Sequence, residues 1–415
     1  GLTGYPTARR YAAVPLCQHL LGYLDSTGHG AAGLEKALDA VLSGTGENSS
    51  LVCAVTAQGT LRTGETARLL QADSGALGVQ LTISRPVQRA VEAVAASTMT
   101  SGCILVLDTA TAAVRASVSV PCYDPEHLAD SLQAENSPFL NRALQSYAVG
   151  SVFKPVLAAT ALEAGLQPVF ECTGAVVVDG QIFRCAGGVP HGQVDLAAAL
   201  EKSCNGYFIR LGQQLGAESL LDAAKAFGFG QSLLLAEGFA AEAGQLPTPQ
   251  ELAQSGQLAN FSFGQGSLLA TPMQVAALFN TLAADGVYRA PYVLQATLDE
   301  ATGQPVETLS HPRGRRVISA QNAALLRAML VQVVQQGTAQ DAAGLSGGAG
   351  GKTGTAQTGQ FTPEGTERCN LWFAGFWPAE KPRYTIVVLQ DGAVHTAYSG
   401  AAIFAQVCTA LEAAG

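Results

Sequence analysis

Short apolar runs bounded by Gly, Pro and polar turns recur along the chain, and they predict strands. Cys103–Leu107 and Val114–Val120 read as a hairpin around Asp108–Ala113. Val79–Ile83 reads as an earlier strand, and Pro86 suits the first turn of a helix running to about Ala96. Towards the end, Lys352–Gln357, Leu371–Trp377 and Tyr384–Gln390 read as three more strands, followed by helical spacing over Gly400–Ala414. The long middle is mostly helical, with Gly and Pro breaks. A hairpin after an early helix, a helical insert, then strands and a closing helix predict an α+β domain with a central antiparallel sheet.

Residues 1–78 have another texture. Gly1–Pro6 is turn-rich, a helical pattern covers Leu34–Leu42, and glycines punctuate the segment at 22, 28, 30, 33, 44 and 46. We expect a small N-terminal module over 1–78 and the main domain over 79–415. At 415 residues, 48% hydrophobic and 13% charged, the chain has the material for a large core and is too long for one typical core.

A net charge of −9 with no run of Lys or Arg argues against a nucleic-acid partner. Apolar stretches such as Tyr384–Leu389 fall well short of the roughly 18–20 residues that span a bilayer. No signal peptide is expected within the chain. The chain begins abruptly at Gly1, which leaves room for an anchor outside it. The cysteines are at 17, 53, 103, 122, 172, 185, 204, 369 and 408, an odd count, so at least one thiol is free. No C-x-x-C occurs and no His pair has ligand spacing, so no metal site is expected. Cys172 and Cys185 bracket a candidate hairpin, Ala175–Phe183 with Asp179-Gly180 at its turn, which would bring the two close enough to pair. A disulfide and two buried thiols remain equally open.

Three short segments carry candidate chemistry. In Ser151-Val152-Phe153-Lys154, Pro155 places Ser151 at or just before a helix N-terminus. Positions i and i+3 share a face, which brings the Lys154 amine beside the Ser151 hydroxyl. A hydroxyl needs a base before it attacks, and a desolvated lysine can serve. Ser203-Cys204-Asn205 lies between the helical flanks Leu196–Leu200 and Tyr207–Leu211; its hydroxyl and carboxamide suit proton relay and a peptide carbonyl. Taken alone, a local cap or turn is the simpler reading of such a tripeptide. Lys352-Thr353-Gly354-Thr355 enters a strand, where two hydroxyls and an ammonium suit a carboxylate and Gly354 allows close backbone approach. A phosphate loop around Gly351-Lys352-Thr353 is disfavoured, because Ser346 stands where it requires Gly and a strand follows instead of a helix.

S-x-x-K, S-x-N and K-T-G each occur once, in that order, which is the set used by serine acyl enzymes that react with β-lactams. With Asn141-Arg142-Ala143, Leu81-Thr82-Ile83, Gln88, His191-Gly192 and the segment 9–44, the chain resembles the class B penicillin-binding proteins. Val149 replaces a frequent Pro and Ser84 a frequent Asp of that pattern, away from any catalytic group.

The resemblance implies a transpeptidase domain of the penicillin-binding/β-lactamase-like fold, preceded by a partial dimerisation-type pedestal over 1–78. It implies a D,D-transpeptidase acting on peptidoglycan stem peptides, blocked covalently by β-lactams, with no cofactor. Ser151 would be the nucleophile, Lys154 the acylation base and Ser203 a proton bridge. Asn205 would orient the donor amide, and Lys352, Thr353, Gly354 and Thr355 would form the carboxylate-binding strand. The oxyanion hole would use the N–H groups of Ser151 and Thr355. Cell-wall synthesis proteins as partners, an N-terminal membrane anchor outside this chain and an extracytoplasmic catalytic domain are further expectations. A D,D-carboxypeptidase and a penicillin-sensing or scaffolding module are the alternatives; a β-lactamase needs a smaller chain. Residues 1–78 leave no room for a glycosyltransferase domain, so a bifunctional enzyme is not expected.

Overall fold

The computed structural model describes residues 10–44, 46, 50–62, 64–65, 67–70 and 75–414. The expected turn-rich start at Gly1–Pro6 lies outside them. In chain order the elements that build the site are α1 (Arg85–Thr98), β1 (Gly102–Asp108), β2 (Val114–Val120), α2 (Lys154–Glu163), α3 (Leu196–Glu201), α4 (Asn205–Leu215), α5 (Pro272–Ala283), α6 (Ala320–Gln335), β3 (Gly350–Phe361), β4 (Glu367–Trp377), β5 (Tyr384–Ala393) and α7 (Gly400–Ala414).

The five strands form one antiparallel sheet in the order β3-β4-β5-β1-β2. Its central strands are buried on both faces, which is why Cys103–Leu107 and Ile386–Leu389 are continuous apolar runs without alternation. Helices α1 and α7 cover one face, where Phe404 of α7 meets Phe373 of β4 edge-on at 4.7 Å between ring centroids. Helix α5 covers the other face and is tied down by polar bonds: Thr385 Oγ1 donates to Asn280 Oδ1 at 3.0 Å.

Edge strand β2 is closed by a side chain rather than another strand. Gln88, fully buried on α1, accepts from the N–H of Ser117 at 2.9 Å and donates to its carbonyl at 3.0 Å. A carboxamide there supplies the donor and acceptor that a neighbouring strand would have supplied.

The sequence expectations hold for this domain to within a few residues at the strand ends. The candidate hairpin is present as Ala175–Val178 paired with Gln181–Arg184, with Asp179 and Gly180 both at positive φ as a tight turn of this kind requires. The strand expected at Val79–Ile83 is observed over Leu77–Leu81, paired with Leu294–Asp299. The helix expected over Leu34–Leu42 is instead two short pieces, Gly33–Ala37 and Asp39–Ser43, interrupted at Leu38 where φ is −112°. Cys17, Leu20 and Leu34 from this N-terminal segment are buried in the same apolar cluster as the sheet residues.

Candidate active site

The turn that carries Ser151 is a 3-10 segment, Gly150–Phe153, running straight into α2 at Lys154 with Pro155 in its first turn. The S-x-x-K segment therefore straddles a 3-10 to α junction, where residues three apart lie one above the other. Ser151 is half-buried, and its hydroxyl makes no hydrogen bond among the described residues. Lys154 is fully buried.

Glycines press this turn against β3. Gly150 has φ +65°, and a Cβ there would lie 2.6 Å from the carbonyl oxygen of Thr355. A Cβ on Gly354 would lie 3.0 Å from Cγ1 of Val152 and 3.2 Å from the carbonyl oxygen of Val149. Gly354 is thus needed for approach of the chain's own turn that carries Ser151. The sequence expectation had assigned that closeness to a ligand.

Lys154 joins the second segment to the first. Its Nζ donates to the Ser203 carbonyl at 2.8 Å, to Ser203 Oγ at 3.1 Å and to Asn205 Oδ1 at 2.7 Å. Ser203 is held at φ +52°, rare for a residue with a side chain, between the end of α3 and the start of α4. Asn205 also donates to the Arg184 carbonyl at 3.0 Å, and the Lys154 ammonium stands 5.4 Å from the centre of the Phe208 ring. The sequence places the Lys154 amine beside the Ser151 hydroxyl; its hydrogen bonds go to the S-x-N segment.

Along β3 the exposure alternates. Lys352, Gly354 and Ala356 are buried, Thr353 is half-buried and Thr355 exposed. Thr353 and Thr355 thus lie on one face of the strand and Lys352 on the other. Lys352 nevertheless bends back, its Nζ 3.2 Å from the Thr353 carbonyl and 3.4 Å from Thr353 Oγ1. Thr353 Oγ1 is also 2.7 Å from Oγ1 of Thr338, a residue that sequence reasoning missed. Thr338 lies in the loop after α6, and no motif flags it.

Burial decides the electrostatics of both lysines. Desolvation lowers Lys154 from its ordinary value to about 7. Lys352 is lowered well below the usual lysine range, first by burial and second by the charge of Lys154. Lys154 has three acceptors around its Nζ, and its charge is the one that acts on Lys352.

Two cavities in the molecule, one lined by Arg10, Glu35 and Arg89 and the other by Gln274, Tyr288 and His311, contain none of these residues. A different cluster adjoins the site. Cys172, Cys185, His191 and Cys204 place their ligand-type atoms within 4.8 Å of one another. The expectation of no metal site rested on short spacings. These residues are 13 and 19 positions apart, and only the fold assembles them.

The transpeptidase domain of penicillin-binding proteins, as a family, matches residues 102–409, a stretch that holds all three segments and the whole sheet. The chain belongs to that family. It is 32% identical to the peptidoglycan D,D-transpeptidase PbpA of Mycolicibacterium smegmatis, across 99% of this chain and 83% of that protein. Among solved structures, the D,D-transpeptidase domain of a peptidoglycan glycosyltransferase from Eggerthella lenta superposes with a TM-score of 0.81 at 27% identity, covering 98% of this chain and 93% of that one. The ceftriaxone acyl-enzyme complex of penicillin-binding protein A from Mycobacterium tuberculosis gives 0.79 at 25% identity, covering 96% and 90%. The class B penicillin-binding resemblance of the sequence therefore extends to the fold of nearly the whole chain.

Proposed function

We infer that this chain is a serine D,D-transpeptidase that cross-links peptidoglycan stem peptides through an acyl-enzyme at Ser151. The observation that carries this reading is the triple bond set of Lys154 Nζ on Ser203 and Asn205, one 3-10 turn from Ser151. The Ser203 carbonyl and Asn205 Oδ1 only accept hydrogen bonds, whereas Ser203 Oγ also donates. A neutral Lys154 keeps its two donated bonds to those acceptors and turns its lone pair towards Ser203 Oγ or the incoming Ser151 proton. With a value near 7, a large share of Lys154 is neutral at neutral pH.

In the first half-reaction Ser151 Oγ attacks the carbonyl of the penultimate D-Ala and its proton passes to Lys154. The oxyanion is met by the N–H groups of Ser151 and Thr355. Collapse expels the terminal D-Ala, whose amine takes the proton back through Ser203. An amine of a second stem peptide then attacks the ester, loses its proton along the same route, and Ser151 recovers its hydroxyl. Thr353 and Thr355, on the open face of β3, receive the donor's terminal carboxylate, with Lys352 acting through its charge. Among the described residues, edge strand β3 has one side free of strand partners, which suits an extended peptide.

The relative's name supports this substrate class, and the acyl-enzyme neighbour supports β-lactams as covalent inhibitors. The same reading makes 1–78 the pedestal of the catalytic domain and places that domain outside the cytoplasm, among cell-wall synthesis partners. It also includes a membrane anchor outside this chain; no described helix is long and apolar enough to cross a membrane. The test is to supply a D-Ala-D-Ala stem peptide with and without an acceptor amine. A transpeptidase forms the cross-linked dimer in step with D-Ala release. Release with only hydrolysed product assigns a carboxypeptidase, and no release at all assigns a sensing or scaffolding module.

A further inference from the structure

Four side chains that the acylation chemistry does not use meet beneath Ser203–Asn205. Cys172 ends the strand Phe170–Cys172, and Cys185 precedes the 3-10 turn Ala186–Gly188. His191 precedes the strand Gly192–Val194, and Cys204 is the N-cap of α4. The Cys172 and Cys185 sulfurs are 3.6 Å apart, those of Cys185 and Cys204 3.9 Å, and Cys172 Sγ is 3.4 Å from His191 Nδ1. All three thiols are buried and His191 is half-buried.

The separations discriminate among explanations. A disulfide needs sulfurs about 2.05 Å apart and joins only two of the three. Buried apolar thiols account for the cysteines, but not for an imidazole nitrogen turned onto them. Tetrahedral zinc, with Zn–S of about 2.3 Å and Zn–N of about 2.0 Å, sets sulfurs about 3.8 Å from each other and about 3.5 Å from the nitrogen. The observed 3.6, 3.9 and 3.4 Å lie close to those figures, and all pairs are within 4.8 Å. Three thiols and one imidazole also form a closed structural donor set, soft enough to select zinc over magnesium or calcium.

We propose that Cys172, Cys185, His191 and Cys204 bind one zinc ion, and that this ion holds the Ser203–Asn205 segment in place. On binding, each thiol gives up its proton and His191 contributes its Nδ1 lone pair, so the site carries a net charge of about −1. The backbone is arranged to hold such a knuckle. His191 N–H donates to the Cys172 carbonyl at 3.0 Å and Cys185 N–H to the Gly174 carbonyl at 2.9 Å. Gly174, at φ +89°, lets the Gly188 carbonyl approach to where a Cβ would be only 2.2 Å away. At the helix end, the Tyr207 N–H donates to Cys204 Sγ at 3.4 Å, as a thiolate at an N-terminus favours.

The consequence for the neighbouring site follows from the chain path. Cys204 lies between Ser203 and Asn205, and Asn205 is bonded to the Arg184 carbonyl beside Cys185. One ion therefore ties the hairpin 175–184 and the loop at 191 to the segment that receives Lys154. This consequence rests on the proposed acylation chemistry; the site itself does not.

The test uses the chain without a histidine tag, purified without chelator. Elemental mass spectrometry is expected to find about one zinc per chain, measured with no β-lactam present. Replacing the zinc with cobalt(II) in the wild-type protein is expected to give the thiolate-to-cobalt absorption and intense visible bands of a tetrahedral sulfur site, a readout that needs no variant to fold. Cys185→Ser and His191→Ala are expected to lower zinc content at least about tenfold. Stripping the zinc should slow acylation by a β-lactam and adding it back should restore the rate. Protein that takes up neither metal, or that carries a Cys172–Cys185 disulfide on non-reducing peptide mapping, overturns the site. Unchanged acylation of the stripped protein overturns its positioning role.

Discussion

The carbonyl oxygen of Thr355 occupies the space into which a Cβ on Gly150 would project, 2.6 Å from it. The turn that carries Ser151 and strand β3 thus touch backbone to backbone, and Gly150 is also at φ +65°. Gly150→Ala adds a left-handed strain of about 1–2 kcal/mol to a clash that only backbone movement relieves. We expect acylation of the folded fraction to fall at least about tenfold. Stopped-flow acylation alongside a denaturation curve separates the two effects, and a wild-type rate would mean the turn and strand part freely.

Lys154 sets the pH dependence. Burial lowers it to about 7, so the neutral, base-competent form grows as pH rises through that value. Acylation should climb with pH and level off above about 7. The sign for stability follows from the same shift. The unfolded chain binds the lysine proton up to about pH 10.4, so between about 7 and 10.4 the unfolded state holds more protons and stability rises with pH. Lys154→Arg keeps the charge but not the lone pair, and should slow acylation by about two orders of magnitude or more. An arginine variant that acylates at the normal rate would leave the lysine a structural role only.

Thr355 tests how the substrate is read. Its side chain is exposed on the open face, whereas the Thr353 hydroxyl is already engaged with Thr338. A charge-assisted hydrogen bond contributes about 1.5–3 kcal/mol, or about tenfold and upward in rate. Thr355→Val should therefore slow acylation by a β-lactam bearing its carboxylate, and hardly affect the esterified analogue. Equal losses for both compounds would make the hydroxyl a support for the strand.

Gln88 offers a prediction about the scaffold alone. Gln88→Leu leaves the buried Ser117 N–H without its side-chain partner and its carbonyl with Cys17 Sγ alone, at about 1–3 kcal/mol for the orphaned N–H. Urea unfolding should show a lower midpoint with an unchanged slope, and an unshifted midpoint would mean that the edge of β2 finds other partners.

The sheet was legible in the sequence because strands buried on both faces need continuous apolar runs, and Ile386–Leu389 or Cys103–Leu107 admit few other readings. The three candidate segments were legible because each is short and local in sequence. What escaped were contacts made only by folding. Thr338 reaches Thr353 from a separate loop, and Gly354 meets Val152 across the turn rather than a ligand. The four-ligand cluster draws on residues spread from Cys172 to Cys204, with no two of them at a short ligand spacing. Leu38 broke an expected helix because periodicity records which face is apolar, and not where a short helix stops.

The central claim is that Ser151 is the nucleophile, activated by a lysine held on Ser203 and Asn205. Intact-mass spectrometry of the protein incubated with a β-lactam, followed over time, tests it most directly. One adduct should form, map to Ser151, persist because the tethered leaving group blocks water, and be absent in Ser151→Ala. An adduct that persists in that variant would contradict the account.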